Sequence, residues 1–441
     1  MIWNIGITRQ NQAKLLLLLT VLLSAILLPS FLIHESLPRL RVDEVLIFGA
    51  CAVNIVVMIT RGFRFDKYGW GASDEQKQAA TAQVTRVFLL LIAVYVISNL
   101  YGGLFMHTAF GVRDVMELVT FAKYYLVITL VIALDLGRPE QMILRRVFLV
   151  GFFLSMFLSW GQYLNLAYMN SWLTPLLAPA HLDNLVNANP PRVVGTFDNP
   201  NVMGVFAVMT LALIVPRFYF QRQSTQVAAL LWLLCGLTVK LAFLTISRTA
   251  LLSCAAVLVF YSVWALLKFH LNRQILLRVV LLFVLTMTVF LTSPREFTTR
   301  MGEATNIQKS TSAIGHLMQW DEAMIVIQQS PILGWGTGKT QMTTLVDDEY
   351  ILITRRYGIA GLLAYVWFFV KPVTLAARRI RGNYTFSSES GYTEPGVLLA
   401  IGLIGATLAA AVYNLTAGLF YNLQIMTLFS ILLGLIYHPE R

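Results

Sequence analysis

The chain has 441 residues, of which 57% are hydrophobic and only 12% charged. One soluble core cannot hide that much apolar side chain, so the bilayer must be part of the solvent, and the classes built on a water-soluble domain are excluded. A net charge of +11 in such a chain records topology and contact with anionic lipid headgroups, not nucleic-acid binding.

Apolar runs bounded by charge or Gly/Pro fall near 14–33, 42–60, 84–104, 115–134, 147–167, 200–220, 227–246, 249–267, 275–292, 357–376, 396–415 and 419–437. Each approaches the roughly 20 residues that cross a bilayer as a helix. The predicted fold is therefore all-α: a single polytopic membrane domain over 1–441 with about twelve transmembrane helices. The stretch Lys14 to Ile33 is longer than a signal-peptide core and is followed by no small-residue cleavage pattern, so it reads as a retained first helix. An even number of crossings puts both termini on one side. Arg61, Arg64, Lys67, Arg138, Arg145, Arg146, Arg378, Arg379 and Arg381 then crowd the side holding the N-terminus, which makes both termini cytoplasmic.

Two segments on the other side are long, 168–199 and 293–356. The second lies between helices nine and ten, holds Trp320 and Trp335, and has an amphipathic stretch from Ala313 to Gln329 that predicts a partly helical loop. Segments this aromatic are not disordered, and long loops of that kind carry function. Cys51, Cys235 and Cys254 all sit in apolar runs, without disulfide or metal-ligand spacing. Neither an internal repeat nor a broken helix is read anywhere. Walker loops, dinucleotide fingerprints and HExxH pairs are absent from the sequence.

Four places concentrate chemistry. In Arg192-Val-Val-Gly-Thr-Phe-Asp-Asn-Pro-Asn201 a polar turn opens into the sixth helix. Asp198 or Asn199 reads as its N-cap. The same helix start, with its free N–H groups and Arg192 beside it, also suits a phosphate contacted by Asn199 and Asn201. The connection Ile246-Ser247-Arg248-Thr249 is so short that Arg248 must sit at the outer interface, either snorkelling to headgroups or meeting an anion. Lys123 and Lys240 lie within spans without an evident carboxylate partner, and so read as cations awaiting an anionic ligand. Finally, Asp347, Asp348 and Glu349 precede Arg355 and Arg356 at the entry to the tenth helix. A carboxylate there suits a general base and the arginines suit phosphate; the alternative is a solvated helix start with acids favoured by the macrodipole. His316, alone in its loop, reads as a packing or hydrogen-bonding residue.

These stretches resemble the O-antigen polymerase and O-antigen ligase superfamily of bacterial envelope proteins. The resemblance rests on RVVGTFDNPN at 192–201, ISRTALL at 246–252, GHLMQWDEAMIVIQQSPILGWGTG at 315–338 and DDEYILITRRYGIAGLLAY at 347–365, and is strongest over 190–370. It implies a metal-independent, cofactor-free and inverting glycosyl transfer at the periplasmic face of the inner membrane. Donor and acceptor would be oligosaccharides on undecaprenyl pyrophosphate, with membrane lipids and a chain-length regulator protein as further partners. Arg192, Arg248, Arg355, Arg356, Lys123 and Lys240 would bind pyrophosphate, and Asp347, Asp348 or Glu349 would be the base. Ligases typically carry a histidine-asparagine pair where this chain has Asp347-Asp348; the aspartate form is more similar to polymerases. His316 stands where relatives often show arginine. The reading is thus a polysaccharide polymerase, with a ligase acting on lipid A core and a lipid-linked oligosaccharide flippase as alternatives.

Overall fold

The computed structural model of the chain describes residues 9–31, 40–60, 74–179, 192–221, 223–268, 273–293, 311–339, 341–342, 346–382 and 394–439. Every predicted span is met by a helix: Arg9–Leu27, Val42–Thr60, Glu75–Phe105, Val112–Ala133, Arg138–Tyr163, Pro200–Phe220, Thr225–Leu244, Arg248–Lys268, Arg273–Leu291, Glu349–Gly382, Pro395–Tyr413 and Leu423–Tyr437. Among the described residues, ten are long and apolar enough to cross a membrane. The expectation of twelve is met in place; the two helices outside the ten are Val42–Thr60 and Leu423–Tyr437, the latter with only 15 residues, short of the roughly 20 a crossing needs. The chain is a multi-pass, all-α membrane protein. The amphipathic stretch of the long loop is the helix Thr311–Gln329, packed against Glu349–Gly382.

Pro200–Phe220 is the axis of the fold and is buried along nearly its whole length, against Pro395–Tyr413, Thr225–Leu244 and Arg248–Lys268. Its Pro216 has no N–H to give the Ala212 carbonyl one turn earlier. Tyr261 supplies the missing donor, giving its hydroxyl to Ala212 O at 2.9 Å and lying 3.0 Å from Ile401 O. In lipid no water could do this, so a proline in the most buried helix is matched by a phenol from the next. At the periphery, Leu276, Leu277, Phe283 and Val284 of Arg273–Leu291 are exposed, as a lipid-facing helix requires.

Glu349–Gly382 is broken. Gly358 adopts φ 65°, ψ −167° inside it, which overturns the expectation of unbroken helices. The break frees the carbonyls of Arg355 and Arg356 and the N–H groups of Ile359 and Ala360. All four are taken by residues 331–336: Trp335 N donates to Arg355 O (3.1 Å), Gly336 N to Arg356 O (2.8 Å), Ile359 N to Pro331 O (2.8 Å) and Ala360 N to Ile332 O (3.2 Å). The inserted segment fits because it is glycine-rich. A Cβ on Gly358 would stand 2.1 Å from Ile332 O, and one on Gly334 2.4 Å from Arg356 O. Asn99 then anchors it to Glu75–Phe105, its Oδ1 accepting from Thr337 N at 3.0 Å and Thr337 Oγ1 at 2.8 Å.

Candidate functional site

One end of the bundle gathers the starts of Pro200–Phe220, Arg248–Lys268 and Glu349–Gly382 with the ends of Thr225–Leu244 and Pro395–Tyr413. Glu349 N donates to Asn414 O (2.9 Å) and Val193 N to Leu244 O (3.2 Å). The hydroxyls of Thr249 and Thr416 are hydrogen-bonded to each other. Three of the four resembling stretches, 192–201, 246–252 and 347–365, therefore meet at this end. Tyr413 lies within electrostatic reach of Arg192, Asp198, Asp347 and Glu349 together.

At the first motif, Asn199 caps Pro200–Phe220, its Oδ1 accepting from Asn201 N at 2.8 Å, with Pro200 at the first helical position. Arg192 is placed by the same turn. Its Nη2 donates to Asn201 Oδ1 (3.0 Å) and its Nε to Thr245 O (3.1 Å), so Arg192, Asn199 and Asn201 come together as one rigid unit. Gln162, which the sequence did not single out, holds the turn behind them. Its side-chain oxygen accepts from Val194 N (3.2 Å) and Gly195 N (2.8 Å) and its amide donates to Gly195 O (3.0 Å). Arg248 is half-buried at the first position of its helix, next to Thr249.

The three consecutive acids, indistinguishable in sequence, have three different environments. Glu349 is fully buried; its carboxylate accepts from Phe420 N at 3.0 Å and so ties the turn after Pro395–Tyr413 to the helix start. Asp348, 5% exposed, caps its helix by accepting from Ile351 N at 2.9 Å. Burial raises its carboxyl above the ordinary range, against the opposing pull of its backbone hydrogen bonds and of His316. Asp347 alone faces outward, its side chain half exposed with Oδ2 3.6 Å from His316 Nδ1. Only Asp347 of the three can meet an incoming hydroxyl without dismantling the fold. His316, read as a packing or hydrogen-bonding residue, is placed beside it.

Arg355 and Arg356 are fixed at their backbone by the inserted segment. Arg355 is buried within electrostatic reach of Glu322. Arg356 leads to a carboxylate the sequence reading missed: Glu117, fully buried in Val112–Ala133. Glu117 accepts from the hydroxyls of Tyr357 and Tyr421, and its Oε2 lies 2.9 Å from Lys339 Nζ and 3.5 Å from Arg356 Nη1. The Tyr421 ring lies under both cations, 5.0 Å from Arg356 and 5.8 Å from Lys339. A lone Glu in an apolar span, five residues from the helix start, was the available signal. An intramembrane carboxylate demands a cation.

Two further predicted ligands have partners of their own. Lys123 is fully buried with Nζ 2.6 Å from Asp43 Oδ2 and 3.5 Å from Glu44 Oε1, which corrects the expectation that it lacks a carboxylate partner and awaits an anion. Lys240, one turn before the end of Thr225–Leu244, donates to Thr292 O at 3.4 Å, just past the C-terminal end of Arg273–Leu291. Among the described residues no group of three or more His, Cys, Asp or Glu side chains is arranged to hold a metal ion.

Residues 228–366 match the family described as O-antigen ligase. The chain carries a domain of the O-antigen ligase and polymerase superfamily. The matched segment of this O-antigen ligase domain takes in Arg248, His316, the inserted segment 331–336, Lys339 and the whole run from Asp347 to Arg356, whereas Glu117 and Arg192 reach it from outside. No curated protein matches the chain.

Proposed function

We propose that the chain is a polysaccharide polymerase of the inner membrane, with both termini cytoplasmic and its site facing the periplasm. It transfers a glycan from undecaprenyl pyrophosphate to the non-reducing end of a second lipid-linked repeat. The observation that carries this reading is the seating of Asp347: it is the one half-exposed acid of its triplet, at the bundle end where Arg192 and Arg248 also lie. The acceptor hydroxyl attacks the anomeric carbon as its proton passes to Asp347. The bond from that carbon to the pyrophosphate oxygen breaks with its electron pair going to the leaving group, and backside attack inverts the configuration. Arg192, Arg248, Arg355 and Arg356 gather around the charge that develops on the pyrophosphate. Fixed cations in a site poor in water stabilise it strongly, because they need no reorganisation as it forms.

The broken helix bears on the transport alternative. Transporters use unwound backbone to coordinate ions or substrate. Here the four freed groups are taken by the chain's own 331–336 segment, which favours a rigid surface site over a gated path. The description of the matched family favours ligase chemistry as the second reading, with the same donor and a lipid A core acceptor.

The test is reconstitution of the purified chain in liposomes with undecaprenyl-pyrophosphate-linked repeats, with and without lipid A core. A ladder of lengthening glycans on the lipid carrier supports polymerase; product on lipid A core replaces it with ligase. Absence of both, with the lipid-linked repeats scrambled between leaflets, would show a flippase.

A further inference from the structure

Glu117 has the wrong sign to touch a pyrophosphate, yet it sits against a proposed phosphate ligand. It is fully buried and takes four donors, from Tyr357, Tyr421, Lys339 and Arg356. These come from Glu349–Gly382, from the turn after Pro395–Tyr413 and from the inserted loop. Two cations lean on this one carboxylate, and Asp114, one turn earlier on the same helix, acts on Lys339 as well. The cations are the members that reach solvent: the Lys339 side chain is 23% exposed and that of Arg356 12%. The Arg356 Nε is buried with no hydrogen-bond partner among the described residues. An arginine whose backbone carbonyl is held by Gly336, whose ring-facing side lies on Tyr421 and whose Nη1 leans on Glu117 has little freedom left to turn away.

We infer that Glu117 is a positioning residue: its carboxylate, oriented by the phenols of Tyr357 and Tyr421, holds the Arg356 and Lys339 side chains toward the bundle end where the anionic leaving group forms. The inference rests on the proposed donor and assigns roles to Glu117 and Lys339 that the sequence reading did not. The logic is that of outer-shell carboxylates that orient a ligand without meeting the substrate. Removing such a partner costs roughly 10- to 100-fold in metal-site function. The same range is expected here in kcat, with KM for the donor changing by less, because the cations are placed for charge that develops only in the transition state.

A double-mutant cycle on the full chain in liposomes tests this, using lipid-linked repeats as donor and acceptor. Glu117→Gln keeps the shape and loses the charge; Arg356→Lys keeps the charge and loses the fixed fork. If Glu117 acts through Arg356 and Lys339, the double variant loses clearly less than the product of the two single losses. If the two losses multiply, or Glu117→Gln turns over at the wild-type rate, the positioning role is overturned. Should Glu117→Gln fail to fold, Tyr357→Phe with Tyr421→Phe takes its place in the cycle. That pair removes the donors that orient the carboxylate, and the same two outcomes decide. Wild-type protein that forms no product from lipid-linked donor overturns the donor reading itself and this inference with it. A wild-type rate with a multiplicative cycle overturns the inference alone.

Discussion

Val112–Ala133 carries two buried ionic clusters within two turns of each other, and they differ in whether their cations are open to solvent. Around Lys123 the cations Arg41 and Lys123 meet the carboxylates Asp43 and Glu44, with Arg41 Nε 3.0 Å from Asp43 Oδ1 and Thr427 also donating to Asp43. Both cations of that group are closed off from solvent. Around Glu117 the cations Lys339 and Arg356 are partly open to solvent, with side chains 23% and 12% exposed, and Asp114 acts on Lys339 beside Glu117. A cation at membrane depth is therefore no signature of a site by itself. What matters is whether the cation is closed off with its partners or open to solvent.

This contrast says that the sealed cluster serves stability and the open end serves activity, and substitutions can break or sharpen it. The largest effect is expected at Asp347: Asn there should lower kcat by about 10²- to 10⁴-fold, the usual contribution of a general base, with the thermal midpoint in detergent unchanged. Near-wild-type turnover would move the base to another residue. Lys123→Ala strands buried carboxylates and should cost about 3–5 kcal/mol, read by thermal unfolding, while the folded fraction keeps its specific activity. An activity loss beyond the folded fraction would put Lys123 back in the site. Gly358→Ala, at a positive φ and against the Ile332 carbonyl, should cost at least about 1–3 kcal/mol of strain and reduce both readouts together, because Arg355 and Arg356 shift with the break.

The smallest effect belongs to Asp348. Burial raises its carboxyl in the fold, so the folded chain holds that proton more tightly than the unfolded chain. Stability from this group is present on the acid side and is lost as pH rises from the unfolded value, near ~3.9, through the folded one. Asp348→Asn, which still caps, should flatten the pH dependence of the thermal midpoint over that window and leave it equal or higher at neutral pH. A fall at neutral pH would show that the ionised carboxylate is engaged by a partner.

Hydropathy was enough to place all twelve helices, since a bilayer imposes length and apolarity on each span separately. The Asn199 cap was readable for the same reason: its partner Asn201 is two residues away. What stayed hidden was non-local. Lys123 looked unpaired because Asp43 and Glu44 belong to another helix, and Glu117 looked incidental because its four partners lie more than 200 residues downstream. The Gly358 break escaped notice because an isolated glycine in an apolar run is unremarkable until another segment is seen to fill the gap. Asp347, Asp348 and Glu349 could be told apart only by burial, which three adjacent acids do not encode.

The break at Gly358 also changes what the arginines cost. From Ile359 to Gly382 the helix alone exceeds the roughly 20 residues that a crossing requires. The two turns before Gly358 are surplus to that task, and they are the turns that bear Arg355 and Arg356. By bending off its own axis there, the helix divides into a membrane-crossing shaft and a headpiece bonded to the loop. Both guanidinium groups thus belong to the headpiece, where Glu117 answers Arg356, and neither interrupts the membrane-crossing shaft.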